Sequence, residues 1–233
     1  MNDDLNFDTY LYIGSRKLII KVNTDTNKRI YNEEVIFDEI NENLDFVKLD
    51  IFLNKNIFKI EKNLKRFVEK IIVILDLDNF FPVEISIKRR SFESIIDLKS
   101  LNHLLIEAKD SCKKTINENK ILHMIINNYH IDNKDFPTLP KDINGRNFSL
   151  DLKFICISDD FIKRLEEVLK KYQISLNQIV SANYIKDFLK KSDEDIFSMT
   201  KKMVNGYNPN EVLLVNKTRK NEGFFEKFFN FFN

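Results

Sequence analysis

Apolar residues in this chain alternate in some stretches and recur at helical spacing in others, and these two rhythms predict most of its elements. Tyr10 to Val22 (YLYIGSRKLIIKV) reads as two β runs, Tyr10–Ile13 and Lys17–Val22, joined by a tight turn at Gly14-Ser15-Arg16. Ile30 to Asp38 is a third strand, while Val47 to Leu53 fits either a strand or the lead into a helix. Ile57, Ile60, Leu64, Phe67, Val68 and Ile71 recur at helical spacing and predict a helix from Asn56 to Ile72. Asn79-Phe80-Phe81-Pro82 breaks the chain before Val83 to Ile87, which alternates as a strand. Asp97 can cap a helix reaching about Cys112, with Leu98, Leu101, Leu104, Leu105 and Ala108 on one face.

Beyond it, Ile121 to Ile126 and Asn128 to Ile131 form a strand or a strand pair, and Asp132 to Gly145 is turn-rich. Asn147 to Ser158 is a strand in which Phe148, Leu150, Leu152 and Phe154 alternate. Ser158-Asp159-Asp160 opens a helix to Lys171 with acidic residues at its positive end. Ile174 to Ser181 is a strand, Tyr184 to Leu189 a helix and Asp195 to Val204 a further helix candidate. Asn205 to Pro209 is a turn, and Val212 to Val215 is a short apolar run. The result is an α+β body without internal repeats.

The last segment, Gly223 to Asn233, has a rhythm that no globular core requires. At ~100° per residue Phe224, Phe225, Phe228, Phe229, Phe231 and Phe232 fall within an arc of about 160°, opposite Glu226, Lys227, Asn230 and Asn233. Such a helix is too short to span a bilayer, which takes about 20 apolar residues, and helices under ~12 residues are marginal alone in water. It therefore has to bury its Phe face. A membrane interface suits it, with Lys217, Arg219, Lys220 and Lys227 attracted to an anionic surface at about 1 kcal/mol each. Docking of this helix onto the protein's own core or a partner groove is the alternative.

Composition narrows the function classes. The 233 residues are 43% hydrophobic, enough for one large or two small cores. A net charge of +1 argues against a dedicated nucleic-acid binder, whose affinity rests on concentrated phosphate neutralisation. Cys112 and Cys156, with no secretory signal at the start of the chain, read as reduced cytosolic thiols.

Candidate chemistry is thin. His123 and Cys156 on adjacent strands would imitate a thiol–imidazole pair, but such residues are ordinarily packing groups. No Cys-x-x-Cys or His-x-x-x-His spacing points to a metal, and Asp132 and Asp135 sit where turns favour aspartate. Asp76, Asp78, Glu166 and Glu167 read as solvated carboxylates, and Lys88-Arg89-Arg90 as a basic strand end. No catalytic, cofactor or metal residue is assigned, and a non-enzyme is expected.

Several stretches, taken in order, resemble FtsA, the actin-like bacterial cell-division protein. Ile121-Leu-His-Met-Ile-Ile-Asn-Asn-Tyr-His-Ile-Asp132 and Gly145-Arg-Asn-Phe148 are similar to the run closing the family's inserted subdomain 1C. Phe154-Ile-Cys-Ile-Ser158, the helix after it and Ile174-Ser-Leu-Asn-Gln-Ile179 resemble the return into subdomain 1A. Tyr12-Ile-Gly-Ser-Arg-Lys-Leu18 resembles the first phosphate hairpin, Val83 to Ile87 the first strand of 1C, and the Phe-rich segment the membrane-targeting helix. The family has an acidic residue where this chain has Tyr12, and a glycine-rich second phosphate loop for which the four glycines here do not suffice.

The resemblance implies a shortened actin-like protein lacking subdomains 2A and 2B. Residues 1–72 and 154–192 would be a 1A remnant, 73–153 a 1C (SHS2-like) insert, 193–222 a linker and 223–233 the amphipathic helix. It also implies a peripheral adaptor on the cytoplasmic face of the cell membrane. Its partners would be an anionic lipid surface and division proteins, with FtsZ capture questionable without 2B and self-association open. PilM, a pilus-assembly protein with the same actin-like plan, is the alternative model, and a degenerate ATPase with residual nucleotide binding is another.

Overall fold

The computed structural model describes residues 6–40, 43–90, 98–141, 147–190 and 192–213. Strands β1 (Phe7–Gly14) and β2 (Lys17–Thr24) form the expected antiparallel hairpin, and β3 (Arg29–Ile36) pairs antiparallel with β2. Helix α1 (Phe46–Leu64) settles the ambiguity at residues 47–53 in favour of helix. Asp45 caps it, its carboxylate accepting the amides of Val47 and Lys48 at 3.0 and 3.1 Å.

The helix expected to run to Ile72 ends earlier. Lys65 is left-handed (φ 55), and the Glu61 carboxylate takes the Val68 amide at 3.1 Å. Lys70–Asp76 is instead strand β4, lying parallel between β1 and β9 (Ser175–Ser181). A strand covered on both faces carries a continuous apolar run rather than alternation, which is why Ile71 and Ile72 fit helical spacing by accident.

This five-stranded sheet, in order β3-β2-β1-β4-β9, separates two cores. On one face Leu11, Ile13, Val73 and Leu75 meet α1 and α3 (Asp159–Lys170). On the other, Tyr10, Ile72, Ile74 and Val180 meet α4 (Ala182–Leu189) and α5 (Ile196–Val204). Helix α5 is capped by Asp195 and buries Phe197, Met199 and Met203, so residues 196–204 belong to the body and not to the linker expected from residue 193.

A second, wholly antiparallel sheet is inserted between β4 and α3, with strand order β5-β8-β6-β7. Its members are β5 (Phe80–Arg90), β6 (Asn119–Ile131), β7 (Lys134–Phe136) and β8 (Asn147–Ser158). Pro82 lies within β5 instead of ending the chain segment before it; β5 is an edge strand, where a missing amide is tolerated. Helix α2 (Leu98–Thr115) lays Leu101, Leu104, Leu105 and Ala108 on this sheet, as the sequence predicts; Asp97 is outside the described residues. Strand β6 is a single strand with register shifts at Ile121/His123 and Ile126/Asn128. In the turn-rich stretch, Asp132 and Asn133 at φ 45 and 68 make the two-residue turn into β7. The sheets divide the chain within the expected α+β class, although β4 crosses the 72/73 boundary and β8 the 153/154 boundary.

Candidate functional site at the junction of the sheets

The ends of β1 and β4 form the place where an α/β sheet offers a crevice to ligands. Here Tyr12, Asp76 and Lys186 meet one another at that place. The Tyr12 ring lies over Gly14 so closely that a Cβ there would stand 2.9 Å from Tyr12 Cε1. The Tyr12 hydroxyl donates to Asp76, whose other oxygen receives Lys186 Nζ at 2.6 Å. Burial, and then the bond to Asp76, push the Tyr12 hydroxyl well above its ordinary pKa, so it remains a donor. The β1–β2 hairpin thus meets, through the Tyr12 ring, a carboxylate of β4 that is paired with Lys186.

A second constellation joins the two sheets to the last described residues. Past the register shift at Ile121/His123, ordinary alternation puts His123 and Met124 on opposite faces, both buried, Met124 toward α2 and His123 toward the first sheet. The Ser181 amide donates to His123 Nε2 at 3.2 Å, so the hydrogen sits on Nδ1 and is directed at Glu211 Oε1, 2.7 Å away. Tyr184 donates to Glu211 Oε2 at 2.9 Å and accepts from Asn208 Nδ2 at 2.7 Å. Burial and the Glu211 charge drive the Tyr184 hydroxyl pKa upward. Glu211, at 7% exposure, is thereby fully bonded in a place where an unpaired carboxylate would be costly. Its neighbours continue the β6 edge: the Ile126 amide donates to Asn210 O at 2.9 Å and the Val212 amide to Met124 O at 2.8 Å. The chain is stitched down immediately before Leu213.

No protein-family model matches this chain, and neither does any curated protein sequence. Solved structures do resemble it. Cyto-EpsL, the cytoplasmic domain of an inner membrane component of the type II secretion system of Vibrio cholerae, aligns over 77% of this chain and 57% of its own at 9% identity and TM-score 0.37. The PilM–PilN type IV pilus biogenesis complex aligns over 77% and 48% at 9% identity and TM-score 0.43. A Bacteroides thetaiotaomicron protein with an actin-like ATPase fold and unknown function aligns over 80% and 57% at 12% identity and TM-score 0.32. The chain spans about half the length of these neighbours. The α+β assignment itself rests on the strand orders given above.

The membrane residues expected from the sequence, Phe224, Phe225, Phe228, Phe229, Phe231, Phe232, Lys217, Arg219, Lys220 and Lys227, lie outside the described residues. His123 and Cys156 do not meet as a pair. Cys156 is a free thiol hydrogen-bonded to that of Cys112 on α2; burial, and then Cys112, raise its pKa to about 12, while His123 is committed to Glu211 and Ser181. Asp135 pairs with His130, and the described residues hold no group of three or more ligands suited to a metal. Asp76, expected to be merely solvated, is instead engaged by Tyr12 and Lys186. Glu211 was missed by sequence reading. Its one signal is a lone carboxylate leading an apolar run, Glu211-Val-Leu-Leu-Val215.

Proposed function

We propose that this chain is a non-enzymatic peripheral adaptor on the cytoplasmic face of a cell membrane, holding other proteins of a membrane assembly there. The observation that carries the reading is the fixed root at Asn208–Val212. The last described residues are held by buried hydrogen bonds, and in the sequence the basic stretch and then the Phe-segregated segment follow within a dozen residues. A segment with that pattern gains by moving its rings from water into the interface while its cations approach anionic headgroups. The Tyr12 ring packed on Gly14 and bonded to the Lys186-paired Asp76 supports a scaffold rather than an ATPase.

A division role with FtsA-type partners and a PilM-like role in another assembly both fit this reading. A pilus biogenesis complex is among the structures this chain resembles, and the PilM-like role stands beside the division role on that likeness of fold. Flotation on anionic and neutral vesicles, comparing the full chain with one ending at Val215, tests the tether. The full chain is expected to float, and to float more on anionic lipid; equal flotation of the two chains overturns the proposal. Saturable nucleotide binding in calorimetry would defeat the non-enzyme part.

A further inference from the structure

Helix α1 turns a second amphipathic surface to solvent. Its buried side chains, Leu49, Phe52, Leu53, Asn56, Ile57 and Ile60, centre on one direction. At ~100° per residue Val47, Ile51 and Phe58 fall within about 40° of one another, on the side opposite that centre. They are 69%, 65% and 72% exposed, and Phe67, just past the helix, is 79% exposed. Three large apolar side chains at the apex of a surface helix are not explained by the core they face away from.

The charges beside them are one-sided. Lys48, Lys55, Lys59 and Lys62 flank the apolar apex on one edge at about 60° to 120° from Val47, and Lys65 and Arg66 follow. Both acidic residues of α1, on the other edge, are engaged. Asp50 is held by Lys171 Nζ at 2.7 Å and the Tyr172 hydroxyl at 2.8 Å, and Glu61 caps the Val68 amide. Among the described residues Lys55, Lys59 and Lys62 have no ion-pair partner, so the exposed field of this face is positive.

We propose that this face of α1 is a second membrane contact, with Val47, Ile51, Phe58 and Phe67 entering the interface of an anionic bilayer and the lysine edge meeting its headgroups. The proposal rests on the peripheral-membrane reading above and adds an orientation to it. The charge selects the occupant. The protein's own Phe-rich segment would bring Lys217, Arg219 and Lys220 against like charge, as would the same face of a second copy, whereas an anionic surface is complementary to both the face and that segment. Reach is sufficient. Leu213 shares a cleft of about 630 Å³ with Ile162 and Glu166 of α3, which packs beside α1 on the same side of the sheet, and the ten residues 214–223 extend at most ~35 Å. Two contacts on one body fix its tilt as well as its distance from the lipid.

The chain contains no tryptophan, so single reporters are clean. In the full chain, Phe58→Trp, Phe228→Trp and, as a control on α2, Ile106→Trp are each titrated with anionic vesicles, with and without brominated acyl chains. The expected result is a blue shift and quenching for Phe58→Trp and Phe228→Trp and none for Ile106→Trp. In the full chain, Ile51→Ser with Phe58→Ser should weaken binding to anionic vesicles at least ~10-fold. Quenching at Phe228→Trp alone overturns the α1 contact and leaves the tether standing, whereas no quenching at either position rejects both. A shift at Phe58→Trp that follows protein concentration without lipid assigns the face to a second copy and overturns the proposal.

Discussion

Strand β6 carries two histidines seven residues apart, each bonded to a carboxylate, and they do different work. His123 is 2% exposed and lies at the junction, where one ring nitrogen accepts an amide and the other donates to Glu211. His130 lies near the far end, its side chain 26% exposed, with Nδ1 2.6 Å from Asp135 and Nε2 2.6 Å from Asp151. Two carboxylate acceptors favour the ring with two N–H donors, and the bonds to Asp135 and then Asp151 raise the His130 pKa above its ordinary value. The lesson is that the partner at the second ring nitrogen, donor or acceptor, and not residue type sets the role. An amide donor at one nitrogen makes His123 a fixed tautomer in a buried weld, while a second carboxylate makes His130 a titratable clip on a hairpin.

The largest expected effect falls at the weld. Glu211→Ala leaves the His123 Nδ1 hydrogen and the Tyr184 hydroxyl without their acceptor in a buried site, which costs about 3 kcal/mol of stability. Urea unfolding measures it, and a loss under about 1 kcal/mol would break the contrast with His130. Combining His123→Ala with Glu211→Ala should cost less than the two separate losses summed, because the pair shares one network. Independent additive losses would mean that the carboxylate is held by Tyr184 and the edge bonds alone.

The clip should instead answer to pH. A group whose folded pKa is raised contributes stability fully present below its ordinary value near 6.5, and that contribution is lost as pH rises through the folded value. Asp151 has the opposite sign. Its bond to Ser86, ahead of that to His130, holds its pKa below the usual carboxylate value, so its contribution is lost as pH falls through that lowered value. Amide exchange at β7 should therefore quicken as pH passes from 6 to 9 by more than base catalysis explains. The change is on the order of 1 kcal/mol or less at so open a site, and His130→Gln should remove it.

How much of this is legible in the sequence differs by region for physical reasons. Strand β2 and helix α2 were readable because one face of each is apolar and the other is not, so the period shows, and β1, covered on both faces, was readable through the Gly14-Ser15-Arg16 turn that joins it to β2. Strand β4 was not, since both of its faces are covered and Lys70–Asp76 lacks a polar face to mark it. Within the site, the Gly14 turn was visible, but the reason Gly14 is needed, a tyrosine ring packed on it, depends on the partner Asp76, 62 positions away. His123 and Glu211 are 88 positions apart, and no local pattern announces that they meet. Sequence periodicity reports burial along one element; it does not report which elements share a bond.

The smallest expected effect tests an intermediate case, the Asp76 carboxylate between Tyr12 and Lys186. Lys186 reaches it at 2.6 Å, but the lysine side chain is 46% exposed, so water competes for both charges and holding the long side chain in place costs rotamer entropy. Lys186→Ala removes one donor and leaves the Tyr12 hydroxyl on the other oxygen, with room for water at the vacated one. A loss within about 0.5 kcal/mol is expected in urea unfolding. Tyr12→Phe should cost more, about 1 kcal/mol, because its hydroxyl bond to Asp76 is partly shielded from solvent. If Lys186→Ala proved as costly as Glu211→Ala, solvent exposure would not be what separates weld from clip, and the ranking of the three carboxylate sites would have to rest on bond count instead.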